Sequence, residues 1–260
     1  MAYGKVSEKN FDLKNNKDRD RVYLRFTPEQ KTMFHTIKEK TFTFCESCSG
    51  SGKTLTTIAA LLDLLANNEI DKIVYIQKVS QRYLQNGFLP GDIDEKTKAL
   101  WQPFYEAMLT LGYTWQTVDE MVYNGLIVLT TDSTLRGINI EKAGVCIDEA
   151  QNCDYESLSL IFTRCYDVCH VVMIGDSKQK DNRGDNAVFV EYGEYLAEPY
   201  FGAKCVLTKN FRGEFSRYAE KFVPKAIREK EKAKEEKKNK QISDGIMDVL
   251  HPQPVAIPAM

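Results

Sequence analysis

The stretch TFTFCESCSGSGKTLTTIAALLDLL, residues 41–65, decides the fold. Its first five residues, Thr41-Phe42-Thr43-Phe44-Cys45, are aromatic and β-branched, which predicts a short strand buried on both faces. Small residues follow from Ser47 to Thr54, and then Leu55 to Leu62 carry apolar side chains at helical spacing. A strand, a glycine-containing loop ending Gly52-Lys53-Thr54 and a helix form the context that a phosphate-binding loop requires. Consecutive backbone N–H groups of Ser49, Gly50, Ser51 and Gly52 cradle phosphates there, helped by the partial positive charge of the helix N-terminus. Lys53 would reach the β- and γ-phosphates, and the Thr54 hydroxyl would ligate Mg²⁺. One letter departs from the pattern: Ser47 stands where its first glycine is expected, which costs little if that position has a negative φ.

Working outward, the pattern is that of alternating strands and helices. Upstream, residues 1–25 read as a polar arm, with a possible strand over residues 22–26. Thr27-Pro28-Glu29-Gln30 opens an amphipathic helix through Met33, Phe34 and Ile37, with Thr27 as N-cap, Pro28 at the first position and Gln30 closing a capping box. Gln30 has a second reading, because an amide can both donate to and accept from an adenine edge. Downstream, strands are predicted over residues 71–76, 125–130, 144–148, 170–174 and 205–208. Residues 77–124 read as a helical excursion. It contains a turn at Gly87-Phe88-Leu89-Pro90-Gly91-Asp92 and a helix over about 94–111 whose stripe of Trp101, Phe104, Met108 and Leu111 belongs to the core.

Two of these strands end in acids. The run Val145-Cys146-Ile147 leads into Asp148-Glu149-Ala150-Gln151-Asn152. Beside a phosphate loop, Asp148 would hold Mg²⁺, largely through water, and Glu149 would polarise an attacking water as general base. The strand over 170–174 ends in Gly175-Asp176-Ser177-Lys178-Gln179. Ligands of doubly wound sheets bind at the carboxyl ends of strands, so Asp176 and Gln179 face the same crevice, with Gln179 placed to sense the γ-phosphate or orient water.

Composition sets limits on the rest. The chain has 260 residues, 43% of them hydrophobic, with a formal net charge of −2. No apolar run approaches the ~20 residues of a membrane span, and the first residues lack an apolar targeting core, so a cytoplasmic location without membrane contact is expected. Seven cysteines, an odd number lying mostly in apolar runs, suggest no disulfide framework. Cys45-x-x-Cys48 has no second Cys/His pair at finger-like spacing, which argues against zinc. The charge balance announces no nucleic-acid binder, so any such activity would need a local basic patch. From Pro224 the composition turns to a charged, helix-prone run without an apolar face, followed by a proline-containing end.

Taken together, the motifs resemble those of the PhoH-like ATPases, a single-RecA-domain branch close to the superfamily 1 helicases. The resemblance is carried by Thr27-Pro28-Glu29-Gln30, Gly50-Ser51-Gly52-Lys53-Thr54, the Gly87–Asp92 turn, Ile147-Asp148-Glu149-Ala150-Gln151-Asn152, Thr163-Arg164 and Gly175-Asp176-x-x-Gln179. It implies an α/β, RecA-like P-loop fold: a mostly parallel sheet flanked by helices, with a helical insertion. The organisation expected is a polar arm over 1–25, a PhoH-type ATPase domain over 26–223 and a charged tail over 224–260. It further implies Mg²⁺-dependent ATP hydrolysis, a ring-shaped homo-oligomer (a hexamer) and an activity directed at RNA or single-stranded DNA. Under it Gln30 becomes the adenine reader, and Arg212, in Asn210-Phe211-Arg212, becomes the γ-phosphate arginine. Arg164 is the other candidate for an arginine supplied by a neighbouring subunit. Gln77-Lys78-Val79 departs from the Thr-Arg-Pro usual in the family after the second strand, which bears on a nucleic-acid or intersubunit contact. A rival reading is an ATP-dependent switch that binds a protein partner. A nucleotide kinase is disfavoured by the Asp-Glu-Ala-Gln run and the lack of an arginine-rich lid.

Overall fold

The computed structural model describes residues 11, 13, 14, 16–78, 100–135, 139–179, 187–219, 221, 222 and 225. Asn16 accepts the amides of Asp18 and Arg19 and so starts the first helix, α1 (Lys17–Leu24), with Asp18 and Asp20 in its first turn. This corrects the strand expected over residues 22–26. The aromatic and β-branched character of Val22-Tyr23 suggested β structure, but the N-cap six residues upstream governs, and both side chains pack on the core from a helix. Arg19 lies buried within what reads as a polar arm. Its guanidinium donates to Leu62 O at 3.5 Å and sits 3.7 Å from Asp63, which also binds Lys38 at 2.5 Å.

The helix α2 (Pro28–Glu39) begins as its sequence predicts, with both halves of the Thr27–Gln30 capping box formed. Six strands follow: β1 (Phe42–Glu46), β2 (Lys72–Gln77), β3 (Ile127–Thr130), β4 (Ala143–Asp148), β5 (His170–Gly175) and β6 (Gly202–Cys205). They form one sheet in the order β3-β2-β4-β5-β1-β6, every neighbouring pair parallel. Between them lie α3 (Lys53–Ala66), α4 (Gln102–Thr110), α5 (Trp115–Tyr123), α6 (Tyr155–Phe162) and α7 (Ala187–Ala197).

Strand alternation divides the core into two layers. Ile73, Tyr75, Cys146, Val172 and Ile174 face the layer that contains α2, α3, α4 and α5. Val74, Ile76, Val145, Ile147, Val171 and Met173 face the layer of α6 and α7. Helix α3 carries more than an apolar face. From Thr56 to Ala66 only Asp63 escapes full burial, because the helix packs among the sheet, α2 and α4. Trp101, Phe104, Met108 and Leu111 are all buried, as their spacing predicts. The Gly87–Asp92 turn, residues 94–99 and the charged run over 226–238 lie outside the described residues.

The last strand runs earlier than residues 205–208. It pairs Phe42 with Gly202 and Cys45 with Cys205. Since β1 ends one residue later, at Glu46, the chain beyond Cys205 has no ladder to continue. Register aligns the carboxyl ends that matter: Glu46 opposite Gly175, and Gln77 opposite Asp148. The chain divides into two compact units, Met1–Phe211 and Arg212–Met260, a division that differs from the boundary expected after residue 223. Among its described residues, the second unit holds a short helix, α8 (Glu214–Ala219), with Phe215, Tyr218 and Phe222 exposed.

The buried arginine of α1 makes the helix part of the folded core. Arg19→Met keeps an apolar stem and removes the guanidinium. Because Asp63 is partly exposed and keeps Lys38, the loss is expected at ~1–2 kcal/mol, below that of breaking a fully buried pair. A urea unfolding curve checks it, and an unchanged midpoint would show that α1 unfolds apart from the core.

Candidate nucleotide-binding site

The loop between β1 and α3 turns through Gly50 (φ 71°) and Gly52 (φ 83°), both in the left-handed region that favours glycine. Ser47 is not among the residues with positive φ, so its departure from glycine carries no backbone strain. It has a task of its own: Ser47 Oγ accepts the amide of Leu207 at 2.7 Å, while Ser47 N donates to Gly175 O at 3.1 Å. The loop is thereby pinned to the end of β5 and to the segment that follows β6. Farther along, Phe211 N donates to Gly50 O at 2.9 Å, and Glu29 accepts both the amide and the hydroxyl of Thr208, at 2.8 and 2.7 Å.

Helix α3 starts at Gly52 with no side-chain cap, so its first-turn N–H groups are left for an anion. Ser51 Oγ is buried there without a partner. Lys53 Nζ lies over the loop and donates to Ser47 O at 2.6 Å and Cys48 O at 2.9 Å. Of the expected cradle amides, that of Ser49 is engaged by Asp176 Oδ2 at 3.0 Å. The donor set suits a polyphosphate with a divalent cation: uncapped amides, an ammonium, and a hydroxyl against a carboxylate.

That carboxylate is Asp148, at the end of β4 and 2% exposed. Its Oδ2 accepts Thr54 Oγ1 at 2.8 Å and Tyr75 Oη at 2.7 Å, and its Oδ1 accepts the amide of Glu149 at 2.8 Å. Burial, then the Asp148 charge, push the Tyr75 hydroxyl well above its ordinary pKa, so it remains a donor. Glu149 follows with φ 51° and ψ 36°, a left-handed conformation costing roughly 1–2 kcal/mol for a residue with a Cβ. Burial and the neighbouring Asp148 raise its carboxyl, while a hydrogen bond from Gln151 and the Lys53 charge pull the other way.

Gln151 is 1% exposed and joins the two acid-bearing turns. Its Nε2 donates to Glu149 Oε2 at 2.6 Å and to Gln179 O at 3.2 Å, and its Oε1 accepts the amide of Asp176 at 3.1 Å. Gln179 thus reaches the site through its backbone, and its side chain is exposed. Gln30 is buried with its amide engaged at both ends: Oε1 accepts Thr27 N at 3.0 Å and Nε2 donates to Ser51 O at 3.3 Å. An adenine contact would have to replace these bonds. Arg212 is the first residue of the second unit, whereas the loop belongs to the first. The backbone of Arg164 accepts Ile140 N at 2.8 Å, and its Nε is buried without a partner. Lys78 bonds Asp132 at 2.6 Å and Ser157 at 2.8 Å and lies 3.5 Å from Asp154. Burial opposes its charge, but the Asp132 hydrogen bond and carboxylate outweigh that and raise its pKa.

Sequence reasoning assigned no role to Tyr75, which reads as filler in an apolar strand, nor to Gln151, whose network joins turns far apart in the chain. The family model described as "PhoH-like protein" matches residues 24–197. The PhoH-like protein of Synechocystis sp. is 28% identical over 155 residues, covering 60% of this chain and 47% of that one. Protein PhoH of Escherichia coli strain K12 is 30% identical over 146 residues, covering 56% and 41%. The chain therefore spans less than half the length of these curated relatives. Among solved structures, the helicase domain of Pyrococcus furiosus Hef overlaps 74% of this chain and 40% of its own at a TM-score of 0.43 and 13% identity. Bacteroides sp. Pif1 in complex with ADP-AlF4 overlaps 74% and 44% at 0.35 and 16%. Overlaps this loose carry no functional argument. The family match is of another kind, since it covers more than half of the chain and takes in the phosphate loop and both acid-bearing turns: the chain belongs to the PhoH-like family.

Proposed function

We propose that this chain is a Mg²⁺-dependent ATPase whose hydrolysis is coupled to RNA or single-stranded DNA. The observation that carries the hydrolytic part is the pairing of Thr54 Oγ1 with Asp148 Oδ2 at 2.8 Å beside Glu149, at the mouth of an uncapped helix. A hydroxyl and a carboxylate held together in that position suit a shared magnesium ion. When bound, Mg²⁺ supplies charge neutralisation on the β- and γ-phosphate oxygens. Lys53 exchanges the carbonyls of Ser47 and Cys48 for those phosphates. Ser51, Gly52 and Lys53 offer first-turn amides. Glu149, its carboxylate aimed by the left-handed turn, takes the proton of the attacking water, and the segment Gly175–Gln179 lies alongside to register the γ-phosphate. Adenine recognition by Gln30 remains part of the proposal and requires its amide to turn from Thr27 and Ser51.

Coupling to a polynucleotide, and assembly into a hexameric ring in which Arg212 or Arg164 of one copy completes the site of the next, rest on the family resemblance. A ring also answers a mechanical need: strand separation of the helicase type uses two RecA-like surfaces closing on one nucleotide, and a single domain has one.

Steady-state phosphate release with and without poly-RNA or single-stranded DNA tests the reading. Lys53→Ala is expected to abolish turnover and weaken nucleotide binding. Glu149→Gln should retain ATP while turnover falls by about 10²–10⁴-fold, the range of general-base catalysis. Full activity in Glu149→Gln would rule out its assignment as base. Stimulation by one polymer names the track, and unstimulated turnover would favour the protein-binding switch. Ser47→Gly should keep turnover near wild type, since the serine is a peg rather than a phosphate ligand. It should cost ~1–2 kcal/mol in denaturant unfolding, from the lost Leu207 bond and the freer backbone. A large loss of turnover without loss of stability would make Ser47 part of the chemistry.

A further inference from the structure

We infer that Gln151 is a positioning residue for the hydrolytic step, holding the Glu149 carboxylate in register with the Gly175–Gln179 segment. This rests on the proposed role of Glu149 and extends it to a buried side chain that acts through that carboxylate. Three hydrogen bonds converge on one amide that is 1% exposed: to Glu149 Oε2 at 2.6 Å, to Gln179 O at 3.2 Å and from Asp176 N at 3.1 Å. Both polar atoms of the amide are thereby satisfied, and its orientation is fixed without ambiguity, since the oxygen meets an N–H and the nitrogen meets two acceptors.

The neighbours are built for this contact. A Cβ on Gly175 would stand 2.4 Å from Gln151 Oε1, so the amide can reach the end of β5 only because residue 175 is glycine. Asp176, whose amide the oxygen accepts, passes the connection to the phosphate loop through Ser49 N at 3.0 Å. Glu149 itself stands on a left-handed backbone, where a carboxylate without a second anchor has several rotamers to sample. A line of bonds therefore runs from the phosphate loop through Asp176 and Gln151 to the base. A shift of the Gly175–Gln179 segment moves the base with it. Placement within a few tenths of an ångström is what efficient proton transfer requires.

The test uses the whole 260-residue chain and three readouts: kcat, the equilibrium affinity for a fluorescent ATP analogue, and the unfolding midpoint. Gln151→Leu removes all three bonds at similar volume. Gln151→Met, also close in volume and without a hydrogen-bonding amide, serves if the leucine variant does not fold. Both are expected to lower kcat by roughly 10–100-fold, the scale seen when a supporting hydrogen bond to a functional ligand is lost, with analogue affinity within about threefold of wild type. In the Glu149→Gln background the same substitutions should lower residual turnover no further, because a residue that acts through Glu149 has nothing left to act on. An unchanged kcat overturns the inference. So does an equal loss in both backgrounds, or a loss of affinity matching the loss of kcat, either of which marks a merely structural role. Failure of the underlying reading shows differently: Glu149→Gln would itself be active, or the wild type would not hydrolyse ATP, and the inference falls with it.

Discussion

The site is organised by a single buried carboxylate. Asp148 lies at the end of a strand with strands on both sides, where an unsatisfied anion would cost several kcal/mol. It is satisfied by three donors from three elements: Thr54 on α3, Tyr75 on β2 and the amide that begins its own turn. Because each donor is itself immobilised by packing, the carboxylate fixes the first turn of α3 against the carboxyl edge of the sheet. Take it away and a hydroxyl and a phenol are left facing each other in the interior.

Around this point the sheet order does the placing. With β4, β5 and β1 adjacent and parallel, three strand ends deliver the acid pair, Asp176 and the phosphate loop to one edge. A polar line along that edge, Ser49 to Asp176 to Gln151 to Glu149, stands over two dense apolar layers. The layers supply rigidity and the line supplies direction. At its buried links, Asp176 and Gln151, the dielectric is low and one bond polarises the next.

Much of this is legible in the residues. The phosphate loop and the acid-bearing strand ends announce themselves because their chemistry needs particular residue types at short spacing. The Thr27–Gln30 box does so because capping is a local event. What escapes is whatever depends on partners distant in the chain. Tyr75 is an aromatic in an apolar strand until β4 is laid beside it. Ser47 looks like a missing glycine until Leu207 arrives. The helix at Lys17–Leu24 is hidden because an asparagine cap outweighs the β-leaning residues that follow, and because a buried arginine in a charged stretch reads as solvated surface. The end of β6 is set by where β1 stops, which nothing in residues 202–208 reveals.

The connectivity has a consequence for how the molecule comes into being. β1, though early in the chain, pairs on one side with β5 and on the other with β6, so Phe42 waits for both Val171 and Gly202. The loop that follows it takes one of its pegs from a residue 160 positions away. Contacts of such long range form late, since closing the intervening chain costs entropy before any pairing rewards it. On a ribosome, therefore, the first two hundred residues can be made before the loop between β1 and α3 has both of its pegs. The surroundings of that loop are complete only when the last strand is in place, and a chain cut before β6 would carry Lys53, Thr54, Asp148 and Glu149 yet lack both the strand beside β1 and the Leu207 peg.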